Sequence, residues 1–324
     1  FIAIHNTNLG PAVGGTRYWH YRSEKEALYD VLRLSRAMTY KCALARIPYG
    51  GGKGVIMANR FNPKKRKFLA AYVRKINFLK GNFYTGEDVG LTTEHVNILA
   101  RHSRYIIGRQ HLAGNPSPWA ALGVFYAIRA ALEELFGSPE ITRRGFAIKG
   151  IGKVGGALLG FLYKQGGRLV VADIDQKKMK IAKQKFPKIK LVHPEEIHRE
   201  RVDVFIPCAL SDDLNHETIP QLRCNIVCGG ANNQLSTKED GMRLQQAGIL
   251  YIPDYLANAG GLINVVAELD PKGYSRRRVR KRVQGIQKTT SRIIELSRRQ
   301  RKSTSEVADR LAEDIFLKKS KIGA

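Results

Sequence analysis

The chain reads as an α/β protein of two domains, with a doubly wound parallel sheet in the second, and three features point there. From Phe146 onward, strand-like runs alternate with helical stretches, the pattern of parallel strands joined by helical crossovers. At Asn115-Pro116-Ser117-Pro118 the regular pattern breaks and the style of the chain changes, which marks a hinge. In the second half, Gly150-Ile151-Gly152-Lys153-Val154-Gly155 lies between a strand and a helix. At 324 residues there is length enough for two cores.

In the first half, residues 1–7 read as a strand and Leu9-Gly10-Pro11-Ala12-Val13-Gly14-Gly15 as a turn. Ser23-Glu24-Lys25-Glu26 has the form of a capping box, and Leu28, Val31, Leu32, Leu34 and Met38 follow at helical spacing. That helix delivers Lys41 near its end. Tyr49-Gly50-Gly51-Gly52-Lys53-Gly54 reads as a glycine loop, followed by a short strand, Val55-Ile56-Met57. Glycine costs backbone entropy and is used where the chain needs positive φ or a close approach, so a lysine held among glycines calls for a reason. Asn62-Pro63 starts another helix with proline in its first turn, and Ala70, Val73, Ile76, Phe78 and Leu79 form its buried face. Phe83 to Thr85 reads as a strand ending in Gly86-Glu87-Asp88, and Thr92 and Thr93 precede a further helix.

After the break comes a long apolar helix, then strand 146–149, the glycine run, a helix through Ala157-Leu158-Leu159-Gly160-Phe161-Leu162, and strand 168–173. Further strand-like runs lie at 189–192, 202–207, 225–228 and 249–252, and beyond Tyr274 the chain is basic and helical.

Composition is globular, with 43% hydrophobic and 26% charged residues. No run approaches the roughly 18 consecutive apolar residues of a membrane span, and no charged and apolar leader opens the chain, so a cytoplasmic protein without a membrane partner is expected. Cys42, Cys208, Cys224 and Cys228 read as free, mostly buried thiols, and Cys224-x-x-x-Cys228 has no second pair to complete a zinc site, so no metal is expected. The outlier is charge: 55 Lys+Arg against 28 Asp+Glu gives +27. Such a balance suits an anionic partner. The basic clusters, Lys64-Lys65-Arg66-Lys67, the run from Arg276 to Arg282 and the run from Arg298 to Lys302, lie on helical sequence, where a solvated face is the plainer reading. Nucleic acid is therefore not expected as a primary partner.

The Gly150, Gly152 and Gly155 run, with Lys153 and Val154 between the glycines, is followed after roughly 20 residues by Asp173 at the end of the next strand, which is the context of a dinucleotide site. The glycines allow a tight turn and close approach of a pyrophosphate to a helix N-terminus, and the carboxylate meets ribose hydroxyls. Asp173 would repel a 2′-phosphate, so NAD is preferred, with Arg168 and Lys177 nearby keeping NADP open. A dinucleotide implies hydride transfer, and other residues must then hold the substrate and move its protons. Lysine is charged at neutral pH unless burial or a neighbouring cation lowers its pKa from about 10.4. Of Lys41 and Lys53, one can clamp a carboxylate while the other works as a base, although either taken alone reads as a surface lysine.

Seven runs occur in order: Gly14-Gly15-Thr16-Arg17, Met38-Thr39-Tyr40-Lys41, Gly50-Gly51-Gly52-Lys53, Gly86-Glu87-Asp88-Val89-Gly90, Asn115-Pro116-Ser117-Pro118, Ala231-Asn232-Asn233-Gln234-Leu235 and Asn258-Ala259-Gly260-Gly261. Together they resemble the Glu/Leu/Phe/Val dehydrogenase family, in its leucine and phenylalanine dehydrogenase branch, from about residue 1 to 315. The resemblance implies a substrate (dimerisation) domain and a Rossmann-type NAD-binding domain, with a cleft that closes over the ligands, and a homo-oligomer, dimer or larger. The boundaries expected are 1–114 for the substrate domain, completed by helices from about 290 to 324, and 115–289 for the NAD domain. It implies that Lys41 binds the substrate carboxylate, that Lys53 activates water at the imine carbon, and that Asp88 shuttles protons to and from the substrate nitrogen. Asn232 and Asn258 are expected near nicotinamide and substrate beside Ala231, and Pro207-Cys208-Ala209-Leu210 as a cofactor-lining strand end.

The reaction so implied is NAD-dependent, reversible oxidative deamination of an apolar L-amino acid to its 2-oxo acid and ammonium. Glutamate-specific members carry a lysine just before the paired glycines. Val13 stands there, so an apolar side chain is expected, in a pocket of Val13, Gly14, Gly15, Met38, Gly86, Leu262 and Val265. Leucine-preferring relatives tend to have alanine at 86 and valine at 262. Gly86 with Leu262 looks like the phenylalanine pattern, the missing methyl at 86 making room for a ring, and both substrates are expected to overlap. Two departures stand out. Ala120 replaces a threonine that helps hold the nicotinamide amide, and, because Phe1 already reads as strand, a preceding segment used in subunit assembly is expected to lie outside this sequence. A second reading is a catalytically lapsed dinucleotide-binding protein whose basic faces bind nucleic acid, against which Lys41, Lys53 and Asp88 argue.

Overall fold

The computed structural model describes residues 1–58, 65–209 and 211–318. The expected helix start at Asn62-Pro63, the first residue of the Lys64 cluster and Leu210 lie outside the described residues. The chain divides into two compact units, one of residues 1–116, 262–279 and 311–324, the other of 117–261 and 280–310. This corrects the expected C-terminal assignment. The segment after the second unit's last strand, not only the end of the chain, completes the first unit, and 280–310 belongs with the second, where Arg298 reaches Glu134 and Thr304 donates to the Tyr251 carbonyl.

The first unit holds strands β1 (Ile2–Asn6), β2 (Ala12–Val13), β3 (Thr16–Trp19), β4 (Gly50–Met57) and β5 (Phe83–Tyr84). The sheet runs β1-β4-β2-β5, with β3 also pairing β4, and only the β1–β4 pairing is antiparallel. Helices α1 (Glu24–Leu44), α2 (Lys65–Phe78) and α3 (Thr93–Ala100) accompany it. The Ser23 side chain caps α1 by accepting from the Glu26 amide, and Glu26 accepts in return from the Arg22 amide, so the capping signal is realised one residue further out than its usual form. Ile76, Phe83, Leu91, Val96 and Ile106 fill the core below.

The glycine run is not a loop: Gly50 to Gly54 is the first part of β4, and Lys53 sits in mid-strand opposite Ala3. A short strand, β2, also occupies part of what reads as a turn, and β3 follows directly after it. The glycines serve close approach. A Cβ on Gly51 would stand 2.6 Å from Thr39 Cα of α1, and one on Gly52 would stand 2.8 Å from the Phe83 ring. Real Cβ atoms do not approach so closely, so helix and strand can meet at this depth only without side chains between them.

The second unit opens with α4 (Ser117–Phe136) and continues β6 (Gly145–Lys149), α5 (Lys153–Lys164), β7 (Arg168–Ala172), α6 (Gln176–Lys185), β8 (Lys190–Leu191), β9 (Val204–Pro207), β10 (Ile226–Val227), α7 (Glu239–Gln246) and β11 (Leu250–Tyr251). Its sheet, β11-β10-β9-β6-β7-β8, is parallel throughout. The order reverses between β6 and β9, the switch point at which doubly wound sheets bind their ligands. Strands this deeply buried read as apolar runs, as Phe146, Ala147, Ile148, Phe205 and Ile206 do. Three last helices, α9 (Gly260–Val266), α10 (Arg276–Gln300) and α11 (Thr304–Lys318), follow the short α8 (Asp254–Ala257).

Gly51→Ala is expected to destabilise the first unit by about 3 kcal/mol or more, because the neighbour is backbone and cannot yield. Removing the α1 cap with Ser23→Ala is expected to cost only about 1 kcal/mol. Denaturant unfolding of the two variants beside wild type checks the order, and equal midpoints for Gly51→Ala and wild type would remove the close-approach account.

Candidate active site

In the first unit, β4 brings Lys53 to the interior, where it is 5% exposed. Its Nζ lies 2.7 Å from Asp88 Oδ2. Asp88 belongs to the segment after β5 and is brought there by the paired glycines: a Cβ on Gly15 would stand 2.9 Å from Asp88 Cβ. Gly14 and Gly15 are tied on both sides, the Gly14 amide donating to the Tyr84 carbonyl and the Gly54 amide to the Gly15 carbonyl. The same Asp88 oxygen accepts from Arg17 Nε at 3.3 Å, and Arg17 also reaches Asp30 at 2.9 Å.

Burial by itself would raise the Asp88 pKa, but the Lys53 ammonium, the Arg17 guanidinium and the Val89 amide outweigh it and hold the carboxyl below its ordinary value. An anionic carboxylate touching two cations is thus the resting state. Beside this group, Thr16 Oγ1 lies 2.5 Å from the Tyr72 hydroxyl and 2.7 Å from Thr85 Oγ1, a buried set of hydroxyls that satisfy one another.

Lys41 is half-buried in the last turn of α1, one turn beyond Met38 on the same side of the helix. Met38 Cγ would stand 3.3 Å from a Cβ on Gly14, so Met38, Gly14 and Gly52 meet. Val13 is buried completely in β2. Leu262 and Val265 share one side of α9, and Val265 Cγ1 would stand 3.6 Å from a Cβ on Gly108. Gly86 needs a different explanation from the one the sequence suggests. A Cβ there would press on the Ile107 carbonyl and lie 3.8 Å from Ile107 Cγ1, so alanine at 86 acts on the Ile107-Gly108 backbone rather than filling open space. That backbone is gripped by Glu268, which accepts from the amides of Gly108, Arg109 and Ala113.

In the second unit, Gly150 adopts φ +94° and a Cβ on it would meet Ala209 within 3 Å, while one on Gly152, at the N-terminus of α5, would meet nothing within 4 Å. Gly152 therefore borders open space where the free amides of a helix start converge, which fits a pyrophosphate. A Cβ on Gly155 would lie 3.1 Å from Cys208 Cβ, and one on Gly230 would lie 2.6 Å from Val154 Cγ1 and 3.3 Å from Cys208 Sγ, so the two glycine segments and the end of β9 form one cradle. Lys153 is exposed and Ala231 buried. Burial pushes the Cys208 thiol up to about 12, which makes it a lining atom rather than a nucleophile. Asp173 accepts from the Ile151 amide at 2.7 Å and the Asp175 amide at 2.9 Å, so its carboxylate also braces the glycine turn. Asn258 Nδ2 donates to Asn232 Oδ1 at 2.9 Å, whereas Asn258 Oδ1 is buried without a partner among the described residues, an acceptor suited to a carboxamide. An open cavity of about 750 Å³ begins at Ile174, next to Asp173, and is lined by Lys149, Gln176, His193, His198 and Thr218.

Sequence reasoning missed Arg17, although it ends the run Gly14-Gly15-Thr16-Arg17. The available signal was an arginine two residues after the paired glycines. It also missed the ion pair of Lys149 with Asp213 and the contact of His198 with that aspartate at 3.3 Å, because the three are far apart in sequence.

An α/β chain with a dinucleotide-type cradle in one unit and a buried lysine–aspartate pair in the other defines an oxidoreductase of the two-domain dehydrogenase class. Two family models match, the Glu/Leu/Phe/Val dehydrogenase dimerisation domain over residues 1–108 and the Glutamate/Leucine/Phenylalanine/Valine dehydrogenase domain over 170–312. Leucine dehydrogenase of Thermoactinomyces intermedius is 42% identical over 316 residues, covering 97% of this chain and 86% of its own. Phenylalanine dehydrogenase of Caldalkalibacillus thermarum is 39% identical, covering 100% and 89%. The crystal structure of L-tryptophan dehydrogenase from Nostoc punctiforme superposes with a TM-score of 0.86 at 42% identity, covering 99% and 92%. The chain belongs to the Glu/Leu/Phe/Val dehydrogenase family, and it is an amino acid dehydrogenase. Its cofactor is a pyridine nucleotide.

The Asp88 carboxyl, depressed in the folded state, contributes stability that is complete above the unfolded carboxylate pKa of about 3.9 and is lost as pH falls through the folded value. Asp88→Asn is therefore expected to be less stable than wild type at neutral pH, with the gap narrowing below about pH 4 as the wild-type carboxylate takes up its proton. Thermal unfolding midpoints between neutral and acidic pH measure this, and a gap independent of pH would contradict the paired, ionised carboxylate.

Proposed function

We propose that the chain catalyses reversible oxidative deamination of an apolar L-amino acid to its 2-oxo acid and ammonium, with NAD as the preferred nucleotide. The observation that carries the reading is the buried Lys53–Asp88 pair, 2.7 Å apart, in a chain about 40% identical to leucine, phenylalanine and tryptophan dehydrogenases. A bound nucleotide would supply the acceptor for the hydride that leaves the substrate Cα. The chain's own residues do the rest. Lys41 holds the α-carboxylate, Lys53 takes the proton of the water that attacks the iminium carbon, and Asp88 passes protons to and from the substrate nitrogen. The short Nζ–Oδ2 distance lets a proton cross between the two without solvent.

In the second unit, Gly150, Gly152 and Gly155 with the α5 N-terminus would hold the pyrophosphate, Asp173 would meet the ribose, and Asn232 and Asn258 would meet the carboxamide. Preference for NAD follows from the charge of Asp173. An apolar side chain follows from Val13, which offers no charge to a glutamate side chain, and Met38, Leu262 and Val265 complete its surroundings. A homo-oligomer is supported by the match of residues 1–108 to a dimerisation domain. No helix among the described residues is long and apolar enough to cross a membrane, and the four cysteines are unbridged, which suits a cytoplasmic setting. The alternative of a catalytically lapsed, nucleic-acid-binding protein finds no support among relatives that are named as dehydrogenases.

Formation of reduced nucleotide from a panel of leucine, valine, isoleucine, phenylalanine and tryptophan, with NAD and NADP in turn, tests the reading. No turnover with any of the five would overturn it. Lys53→Ala is expected to lower kcat by about a hundred- to ten-thousand-fold while the Kd for NAD stays near wild type. Activity near wild type would reduce the glycine strand to a structural device. Leu262→Val is expected to change the leucine-to-phenylalanine ratio of kcat/KM by about tenfold or more, and an unchanged ratio would place residue 262 outside the side-chain pocket.

A further inference from the structure

The Asp88 oxygen that meets Lys53 also meets Arg17, and the contacts continue beyond it. Arg17 Nε donates to Asp88 Oδ2 at 3.3 Å and its terminal nitrogen to Asp30 Oδ2 at 2.9 Å, and the same Asp30 oxygen accepts from the Tyr21 hydroxyl at 2.6 Å. Five side chains from β4, the segment after β5, β3, α1 and the segment after β3 thus form one row, in which Lys53, Asp88, Arg17 and Asp30 alternate in charge and a phenol closes the end. The Arg17 and Asp30 side chains are only 19% and 14% exposed.

The two cations on Asp88 are not equivalent. A lysine that takes a proton from water must change its charge during turnover, whereas a guanidinium does not titrate in the working range. Resting on the roles given above to Lys53 and Asp88, we infer that Arg17, braced by Asp30 and Tyr21, is a positioning residue that keeps the Asp88 carboxylate anionic and aimed at Lys53 while Lys53 itself is uncharged. The planar fork matters as much as the charge. One guanidinium spans two carboxylates through different nitrogens, which an ammonium on a flexible stem does not reproduce.

The groups facing Asp88 are Lys53, Arg17 and the Val89 amide, and those facing Arg17 are Asp88, Asp30 and Tyr21. Desolvation pulls the Arg17 pKa down, and the two carboxylates more than reverse it, so the guanidinium stays charged. Burial and Asp30 push the Tyr21 phenol well up, so it remains a donor.

The test compares wild type with Arg17→Gln and Arg17→Lys by two readouts. One is the pH profile of kcat with an apolar amino acid. The other is the titration of the Asp88 carboxyl carbon by NMR, its signal assigned by loss in Asp88→Asn. In Arg17→Gln the acid limb of kcat and the Asp88 titration are both expected to move up by about one pH unit or more, since an opposite charge at this range depresses a carboxyl by about one to three units. Arg17→Lys is expected to show part of the same shift and to regain part of the lost kcat. A residue that served only folding would lower kcat with both midpoints unmoved, and that result overturns the inference. If Arg17→Gln does not fold, Arg17→Lys decides: wild-type profile and titration in that variant would equally overturn it. Should wild type oxidise no amino acid, the dehydrogenase reading fails, while the carboxyl titration, which needs no turnover, still decides what Arg17 does to Asp88.

Discussion

The first unit depends on the bare contact between α1 and β4, where Gly51 lies against the Thr39 backbone. Helices and strands are ordinarily held apart by a layer of side chains. Removing that layer at Gly51 brings the end of α1, with Met38 and Lys41, down onto the strand that carries Lys53, while Gly50, Gly52 and Gly54 leave room for the Asn6 backbone, the Phe83 ring and the Tyr72 hydroxyl. The arrangement forgoes buried apolar area and strand propensity. What it obtains is position: a lysine in mid-strand, withdrawn from solvent and unable to swing away.

A buried ammonium is tolerated only with a partner, and the structure supplies one through a second pair of glycines. Gly14 and Gly15 admit Asp88 to the same layer, and Arg17, two residues on, adds a second cation. The result is a row of alternating charges with little net charge. Such a row is stable where an isolated lysine would not be. The second unit solves a different problem by related means. Its glycines at 150, 152 and 155 open space at a helix N-terminus, and Asp173 braces the turn from the next strand.

Much of this was legible in the sequence. The parallel sheet followed from apolar runs alternating with helical stretches, and each strand from 146 to 252 appears where the pattern put it, because strands buried on both faces must be apolar throughout. The break at residues 115–118 adjoins the boundary between the units at 116 and 117. Lys53, Asp88 and the paired glycines were picked out by ordered motifs. Less legible was the glycine run, which reads as a loop by composition and is a strand in fact. Composition reports only that side chains are missing, and says nothing of whether the backbone needs freedom or a neighbour needs room.

By itself, then, the sequence determined the parallel sheet and the glycine turn between its first strand and helix, because local periodicity and motif spacing are written along the chain. Tertiary structure alone decided that Gly50 to Gly54 is a strand, that Gly86 faces the Ile107 carbonyl, and that Arg17 and Lys53 share one oxygen of Asp88. It also decided that residues 262–279 complete the first unit. The reason is common to all four: each is a contact between segments distant in sequence, and what a glycine or an arginine is for depends on which atoms the fold sets against it.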